Sequence, residues 1–125
     1  MGTAANPPPI EVVEAGPQHG AQIDQLVTAF HLHEGVNVTA RARRTSIDAL
    51  LAKPAQGRIL LVQRRDGEIA GYAVIAFGFS LEFGGRDAFL DELFIRKPYR
   101  GQGIGSAALS AVCAWARHEG LCALH

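Results

Sequence analysis

The 125-residue chain has no surplus of either charge, with 12 Lys and Arg standing against 12 Asp and Glu. Without a basic excess there is no electrostatic footprint for nucleic acid or an anionic membrane surface, so neither is expected as a partner. Cysteine is scarce too. Cys113 and Cys122 form no C-x-x-C pair and belong to no spaced Cys/His set, which excludes a zinc site and a disulfide framework and leaves two small buried thiols in a reducing compartment. His31 and His33 flank Leu32, and on a helix that spacing turns them to different faces, so no metal is expected there either. No stretch approaches the roughly 18 apolar residues of a membrane span, and the start MGTAANPPPI has neither the basic nor the apolar region of a secretion signal. A cytoplasmic protein is expected. Without such a signal Asn37-Val38-Thr39 is not a glycosylation acceptor, and Asn6 stands where a myristoylation start wants Ser or Thr.

A chain of this length builds one domain with a real core and is too short for two. Residues 1–9, ending in Pro7-Pro8-Pro9, read as a disordered or polyproline leader, and the domain is expected over 10–125. Ile10, Val12 and Val13 read as a strand closed by Gly16-Pro17. Between His19 and His33 the residues Ile23, Leu26, Val27 and Phe30 form the stripe of an amphipathic helix, which Gly35 ends. A second helix is expected from Thr39 or Ala40 to Ala52, with Ile47, Leu50 and Leu51 inward and Lys53-Pro54 as its stop.

From Gly57 onward the period changes. Ile59-Leu60-Leu61-Val62 predicts a strand, Asp66-Gly67 a tight hairpin turn, and the apolar run Ile69 to Phe79 a strand buried on both faces. Gly84-Gly85 offers another turn, and Phe89 to Ile95 a further strand of an antiparallel meander. Strict alternation on that strand puts Phe89, Asp91, Leu93 and Ile95 on one face and Leu90, Glu92 and Phe94 on the other. The helix that follows is expected to bury Ile104, Ala108, Leu109, Val112, Trp115 and Ala116. Arg117 and His118 suit its last turn, Gly120 its end, and Leu121 to His125 begin another strand.

Between strand and helix lies Arg100-Gly101-Gln102-Gly103-Ile104-Gly105-Ser106. Glycines at alternate positions let a phosphate approach the main chain, and the start of a helix supplies unpaired N–H groups and a positive dipole end. A P-loop would need a lysine after the glycines, and none is there. A dinucleotide fold would need G-x-G-x-x-G with an acid about twenty positions on, where this chain has Leu121 and Cys122.

Asp91-Glu92-Leu93-Phe94-Ile95 followed by Lys97-Pro98-Tyr99-Arg100-Gly101-Gln102-Gly103-Ile104-Gly105 resembles the signature R/Q-x-x-G-x-G/A of the GNAT superfamily of N-acetyltransferases, with its preceding strand. The element order from residue 10 to 125 is also similar to that family. The resemblance implies an α/β fold, a mixed and mostly antiparallel sheet flanked by helices, lacking the C-terminal strands that complete it in the family. It implies acetyl-CoA as cosubstrate, with Arg100, Gly101, Gln102, Gly103, Ile104, Gly105 and Ser106 holding the pyrophosphate and Leu93, Phe94 and Ile95 the pantetheine arm. The activity implied is acetyl transfer to a primary amine of a small molecule or a protein. The alternative is an acyl-CoA-binding module that needs a partner chain or the missing strands. A signature strand with an exposed edge invites pairing with another chain, so a homo-oligomer is expected.

Attack by a neutral amine on a thioester needs a base for the amine's proton and a donor for the developing oxyanion. Two carboxylates, Glu92 and Asp91, sit in an apolar strand and are the candidate bases; the resemblance puts Glu92 first, and a carboxylate at the strand mouth, solvated or paired to an arginine, is the alternative reading of either. The backbone N–H groups near Leu93 and Phe94 are the candidate oxyanion donors. Tyr99 reads as a brace for the loop and Tyr72 as a core tyrosine with a satisfied hydroxyl, with general acid and groove-lining as their alternatives. Arg41, Arg43 and Arg44 read as a solvated helix face, or else a guide for an acidic acceptor. Phe77, Phe79 and Phe83 are read chiefly as packing, with an acceptor pocket as the other possibility.

Overall fold

A computed structural model describes residues 9–125; the expected leader, Pro9 apart, lies outside them. Four strands, β1 (Ile10–Glu14), β2 (Gly57–Arg64), β3 (Ile69–Ser80) and β4 (Gly85–Ile95), form one sheet in the order β1-β2-β3-β4 with every neighbour antiparallel. Helices α1 (Gly20–Glu34) and α2 (Ala40–Ala52) cover one face, and α3 (Ile104–His118) covers the other.

Local chemistry places the boundaries. Gly35 takes φ +71°, the left-handed conformation that ends α1. The Thr39 hydroxyl accepts the Ala42 N–H at 3.1 Å and so caps α2. At the β2–β3 turn Gly67 adopts φ +88° while Asp66 Oδ1 accepts the Glu68 N–H at 3.0 Å.

Two cores result. Ile23, Leu26, Val27 and Ile47 pack on Ile59, Leu61, Tyr72 and Phe94. On the far face Ile104, Ala108 and Val112 pack on Ile10, Leu60, Val62, Ala73, Ile75 and Ala88. Ile23 is fully buried, and truncating such a side chain to Ala costs about 2–5 kcal/mol through lost transfer energy and the cavity left behind.

Several expectations need correction. Burial of β3 on both faces holds only in its first half, since Phe79 near its end is 72% exposed. Leu109 is exposed, because the buried stripe of α3 runs Ile104, Ala108, Val112, Ala116 and leaves it to the side. Cys113 is half-buried and Cys122 exposed, rather than both buried. Leu121 to His125 do run along β4, in parallel: Ala88 N–H bonds Ala123 O at 3.0 Å, and Leu90 N–H bonds His125 O at 3.0 Å.

The alternation on β4 also fails. Val74 stands opposite Glu92 and Ile75 opposite Leu90, so Asp91 is an extra residue, a β-bulge. Leu90 therefore shares the α3 face with Leu93 instead of lying beside Glu92 and Phe94. Asp91 joins Glu92 on the α1–α2 side, where both line one cleft.

Candidate functional site

The loop between β4 and α3 begins with a single 3-10 turn, Lys97–Tyr99. The Tyr99 ring is clasped by two guanidinium groups, Arg64 at 4.8 Å and Arg96 at 5.6 Å from its centroid, which makes it the loop's brace. The Gln102 amide donates to Pro98 O at 3.2 Å, tying the loop to itself. Gly101 and Gly103 take φ +76° and +75°, where an L side chain is strained by about 1–2 kcal/mol. Gly105 has no such φ, and a Cβ there would meet nothing within 4 Å. Neither the backbone nor the rest of the chain demands glycine at that position; open space stands above it.

That space lies at the positive end of α3. Gly103 is the N-cap and offers no side chain to the helix amides. Ala107 N–H, bonded to Gly103 O at 3.1 Å, begins the helical hydrogen bonds, so the N–H groups of Ile104, Gly105 and Ser106 precede the ladder. The side chains there divide: Ile104 is buried beneath the helix and offers only its backbone, while Ser106 is exposed. Such a helix end can hold an anion.

Beside it runs the outer edge of β4. Arg96 N–H bonds Ala70 O at 2.7 Å, which fixes the phase of the antiparallel ladder. Phe94 and Glu92 then direct their backbone groups at Tyr72 and Val74, whereas Leu93 and Ile95 direct theirs away from the sheet. Of the two amides considered as oxyanion donors, Leu93 alone faces outward; that of Phe94 is turned to β3. Arg100 reaches back across this edge, donating Nε–H to Ile95 O at 2.8 Å with its guanidinium 5.2 Å from the Phe94 centroid. A cleft of about 290 Å³ opens here between Phe30, His33, Leu93, Ile95, Arg100 and Gly105. A larger one of about 620 Å³ adjoins it, with Gln22, Gln25, Arg96, Lys97 and Arg100 among its walls.

The second cluster centres on Glu92. Its Oε1 accepts the Tyr72 hydroxyl at 2.8 Å, and its Oε2 lies 2.9 Å from His31 Nε2. Burial pushes the Tyr72 phenol far up, and the hydrogen bond and charge of Glu92, with the charge of Asp91, push it further. The hydroxyl is thus a fixed donor. Phe30 sets its ring edge-on to Tyr72 and Phe94, at 6.2 and 5.5 Å between centroids, and so seats α1 where His31 meets the carboxylate. Glu92, Asp91, His31, Arg43 and Ser46 line a cleft of about 230 Å³ whose other walls are aliphatic. A carboxylate with one lone pair on each oxygen engaged retains acceptor capacity.

Tyr72 is the core tyrosine expected, and its hydroxyl partner is Glu92. His31 was missed, although Val27 plus four residues places it at the margin of the α1 stripe. The basic run divides: Arg43 bonds Asp24 across the α1–α2 interface at 2.8 Å, so it is not a solvated arginine, while Arg44 pairs with Asp48 on its own helix. Phe77 stacks on Trp115 beneath Arg58 and Arg86, and Phe79 and Phe83 lie exposed near the β3–β4 turn; none of the three lines the Glu92 cleft. Among the described residues no three His, Cys, Asp or Glu side chains converge as a metal site would require.

Residues 23–125 match the Acetyltransferase (GNAT) family. The chain belongs to the GNAT family. Similar to it is the aminoglycoside N(6')-acetyltransferase type 1 of Stenotrophomonas maltophilia, 32% identical over 69 residues that make up 53% of this chain and 45% of that one. The GNAT chain described above thus spans less than half the length of that curated relative. An integron cassette protein from the mobile metagenome of Cole Harbour Salt Marsh superposes with a TM-score of 0.82 at 35% identity, over 91% of this chain and 74% of the other. The GNAT fold is shared also with an acetyltransferase of Clostridium acetobutylicum solved with acetyl-CoA, at 15% identity and a TM-score of 0.73, over 93% and 79% of the two chains.

Proposed function

We propose that this GNAT chain transfers an acetyl group from acetyl-CoA to a primary amine, with Glu92 as the general base. The observation that carries the reading is what β4 and the loop after it hold in succession: a carboxylate, Glu92, fixed by two side-chain partners, then the outward edge at Leu93 and Ile95, then the uncapped α3 amides. In the C. acetobutylicum relative the same fold accompanies acetyl-CoA. Acetyl-CoA supplies an activated thioester carbonyl. The residues fit it: the open space above Gly105 and the N–H groups of Ile104, Gly105 and Ser106 suit a pyrophosphate, with Gly101 and Gly103 shaping the approach. Arg100 adds a positive charge to the rim, and Gln102 holds the loop's form.

The outward backbone groups of Leu93 and Ile95 would hydrogen-bond the pantetheine amides once Arg100 releases the Ile95 carbonyl, whereas Phe94, its ring buried and its backbone turned to β3, would not. Leu93 N–H is the donor for charge growing on the acyl oxygen. Glu92 accepts the proton from the amine, using the lone pairs that Tyr72 and His31 leave free. The expected setting is cytoplasmic; among the described residues no helix is long and apolar enough to cross a membrane. An acceptor panel spanning simple amines, an aminoglycoside and peptides, read by release of free thiol, tests the proposal, and no thiol release from any of them overturns it.

One observation favours a second reading, an acyl-CoA-binding module completed by other strands. Residues 122–125 pair with β4 only as far as Leu90, leaving the edge at Leu93 and Ile95 without a neighbouring strand among the described residues. CoA binding without turnover would select it.

A further inference from the structure

We infer that His31 is a positioning residue for Glu92, holding the carboxylate through a proton kept on Nε2; the inference rests on Glu92 being the base of the proposed reaction. His31 Nε2 lies 2.9 Å from Glu92 Oε2, and the two side chains are only 15% and 21% exposed. The opposite nitrogen, Nδ1, is buried and has no hydrogen-bond partner among the described residues. A proton on Nδ1 would be an orphaned buried donor facing no acceptor, and Nε2 would then present a lone pair to a carboxylate lone pair. A proton on Nε2 satisfies Glu92 and leaves Nδ1 as a bare lone pair, the cheaper of the two defects. The tautomer therefore follows from the contacts on both sides of the ring.

The consequence for Glu92 is orientational. Tyr72 holds Oε1 from the sheet and His31 holds Oε2 from α1. With either bond alone the carboxylate could rotate about the terminal torsion, which is broad for glutamate. With both, its plane is set and its remaining lone pairs have one direction. His31 also ties α1 to the sheet at the cleft, reinforced by Phe30 against Tyr72 and Phe94.

Two measurements test this. In a nitrogen-15 spectrum of the histidine side chains, the resonances that vanish in His31→Gln should show the Nε2–H tautomer; an Nδ1–H tautomer or a solution-like mixture overturns the inference whether or not the protein turns over. In kinetics with saturating acetyl-CoA, His31→Leu should lower kcat by about ten-fold or more while CoA affinity and amine KM stay within about two-fold. His31→Gln, whose amide N–H can replace the imidazole donor, should recover most of that loss. A folded His31→Leu with wild-type kcat, or a His31→Gln as slow as His31→Leu, overturns the inference. A wild type that binds CoA and transfers nothing would refute the proposed reaction separately, with the tautomer still deciding the role of His31.

Discussion

Replacing Gly103 with Asp separates what the loop's backbone needs from what its charge does. Gly103 sits at φ +75° with nothing within 4 Å of an added Cβ, so the substitution meets no wall. Its conformational cost, about 1–2 kcal/mol for most L residues, is reduced for Asp, which visits this region with local hydrogen bonds. A negative charge at the start of α3 returns about 0.3–1 kcal/mol through the helix dipole. The net cost to the fold is thus about 1 kcal/mol or less, a fall in Tm of roughly 2–6 °C for a domain of this size. The effect on a phosphate ligand is much larger. A carboxylate roughly 5 Å from one phosphate charge, at an effective dielectric near 20, repels it by about 3 kcal/mol. Its oxygens also compete for the amides of Ile104, Gly105 and Ser106. CoA affinity should therefore fall by about 100-fold or more, read by titration calorimetry beside a thermal melt showing the variant folded. A folded Gly103→Asp that binds CoA as the wild type does would mean that the pyrophosphate is not at the α3 N-terminus.

Three other outcomes are expected. Glu92→Gln should lower turnover at neutral pH and leave CoA affinity nearly unchanged; kinetics and calorimetry on one sample check both, and an unchanged pH–rate profile removes Glu92 from the mechanism. The raised Tyr72 phenol makes stability pH-dependent: fully present below the unfolded-state value near 10, it is lost at up to about 1.4 kcal/mol per pH unit as pH climbs above that, because only the unfolded chain releases the proton. Tyr72→Phe should abolish that alkaline loss in denaturant titrations and lower neutral-pH stability by about 1.5–3 kcal/mol, the worth of a hydrogen bond to a charged group. Because β4 has no neighbouring strand at Leu93 and Ile95 among the described residues, the 125-residue chain should self-associate; a concentration-independent monomer in light scattering would refute that.

Most of the fold was legible because its local signals are strong and mutually consistent. The stripe Ile23-Leu26-Val27-Phe30 became α1, Asp66-Gly67 became the β2–β3 turn, and Gly35 and Gly120 adopted the positive φ their positions demanded. The glycine-rich loop was legible for the same reason, since Gly101 and Gly103 are required by backbone conformation. What could not be read depends on partners distant in sequence. His31 and Glu92 are 61 positions apart, and nothing in either neighbourhood announces the other. Arg43 looked like part of a solvated basic run because Asp24, its partner, is one helix away. Leu109 fits an inner face drawn wide enough to hold both Val112 and Trp115, but the buried stripe of α3 is Ile104, Ala108, Val112 and Ala116, and Leu109 lies outside it.

The bulge at Asp91 is the one unread feature on which the rest of the site depends. Upstream of it, Ala88 and Leu90 have side chains against α3 and N–H groups on the outer edge, where they bond the residues after α3. Strict alternation from Leu90 would give Glu92 both properties. Its carboxylate would enter an apolar core built from Leu60, Ala73, Ile75, Ala88 and Val112, at a cost of several kcal/mol. The outer edge would then offer the backbone of Glu92 and Phe94. One extra residue exchanges both outcomes. Glu92 is carried to the α1–α2 side, where Tyr72 and His31 meet it, and the backbone of Leu93 and Ile95 is carried to the outer edge beside the glycine loop. The carboxylate and the outward edge therefore have a common cause, and a reading that treats this strand as regular must misplace both together.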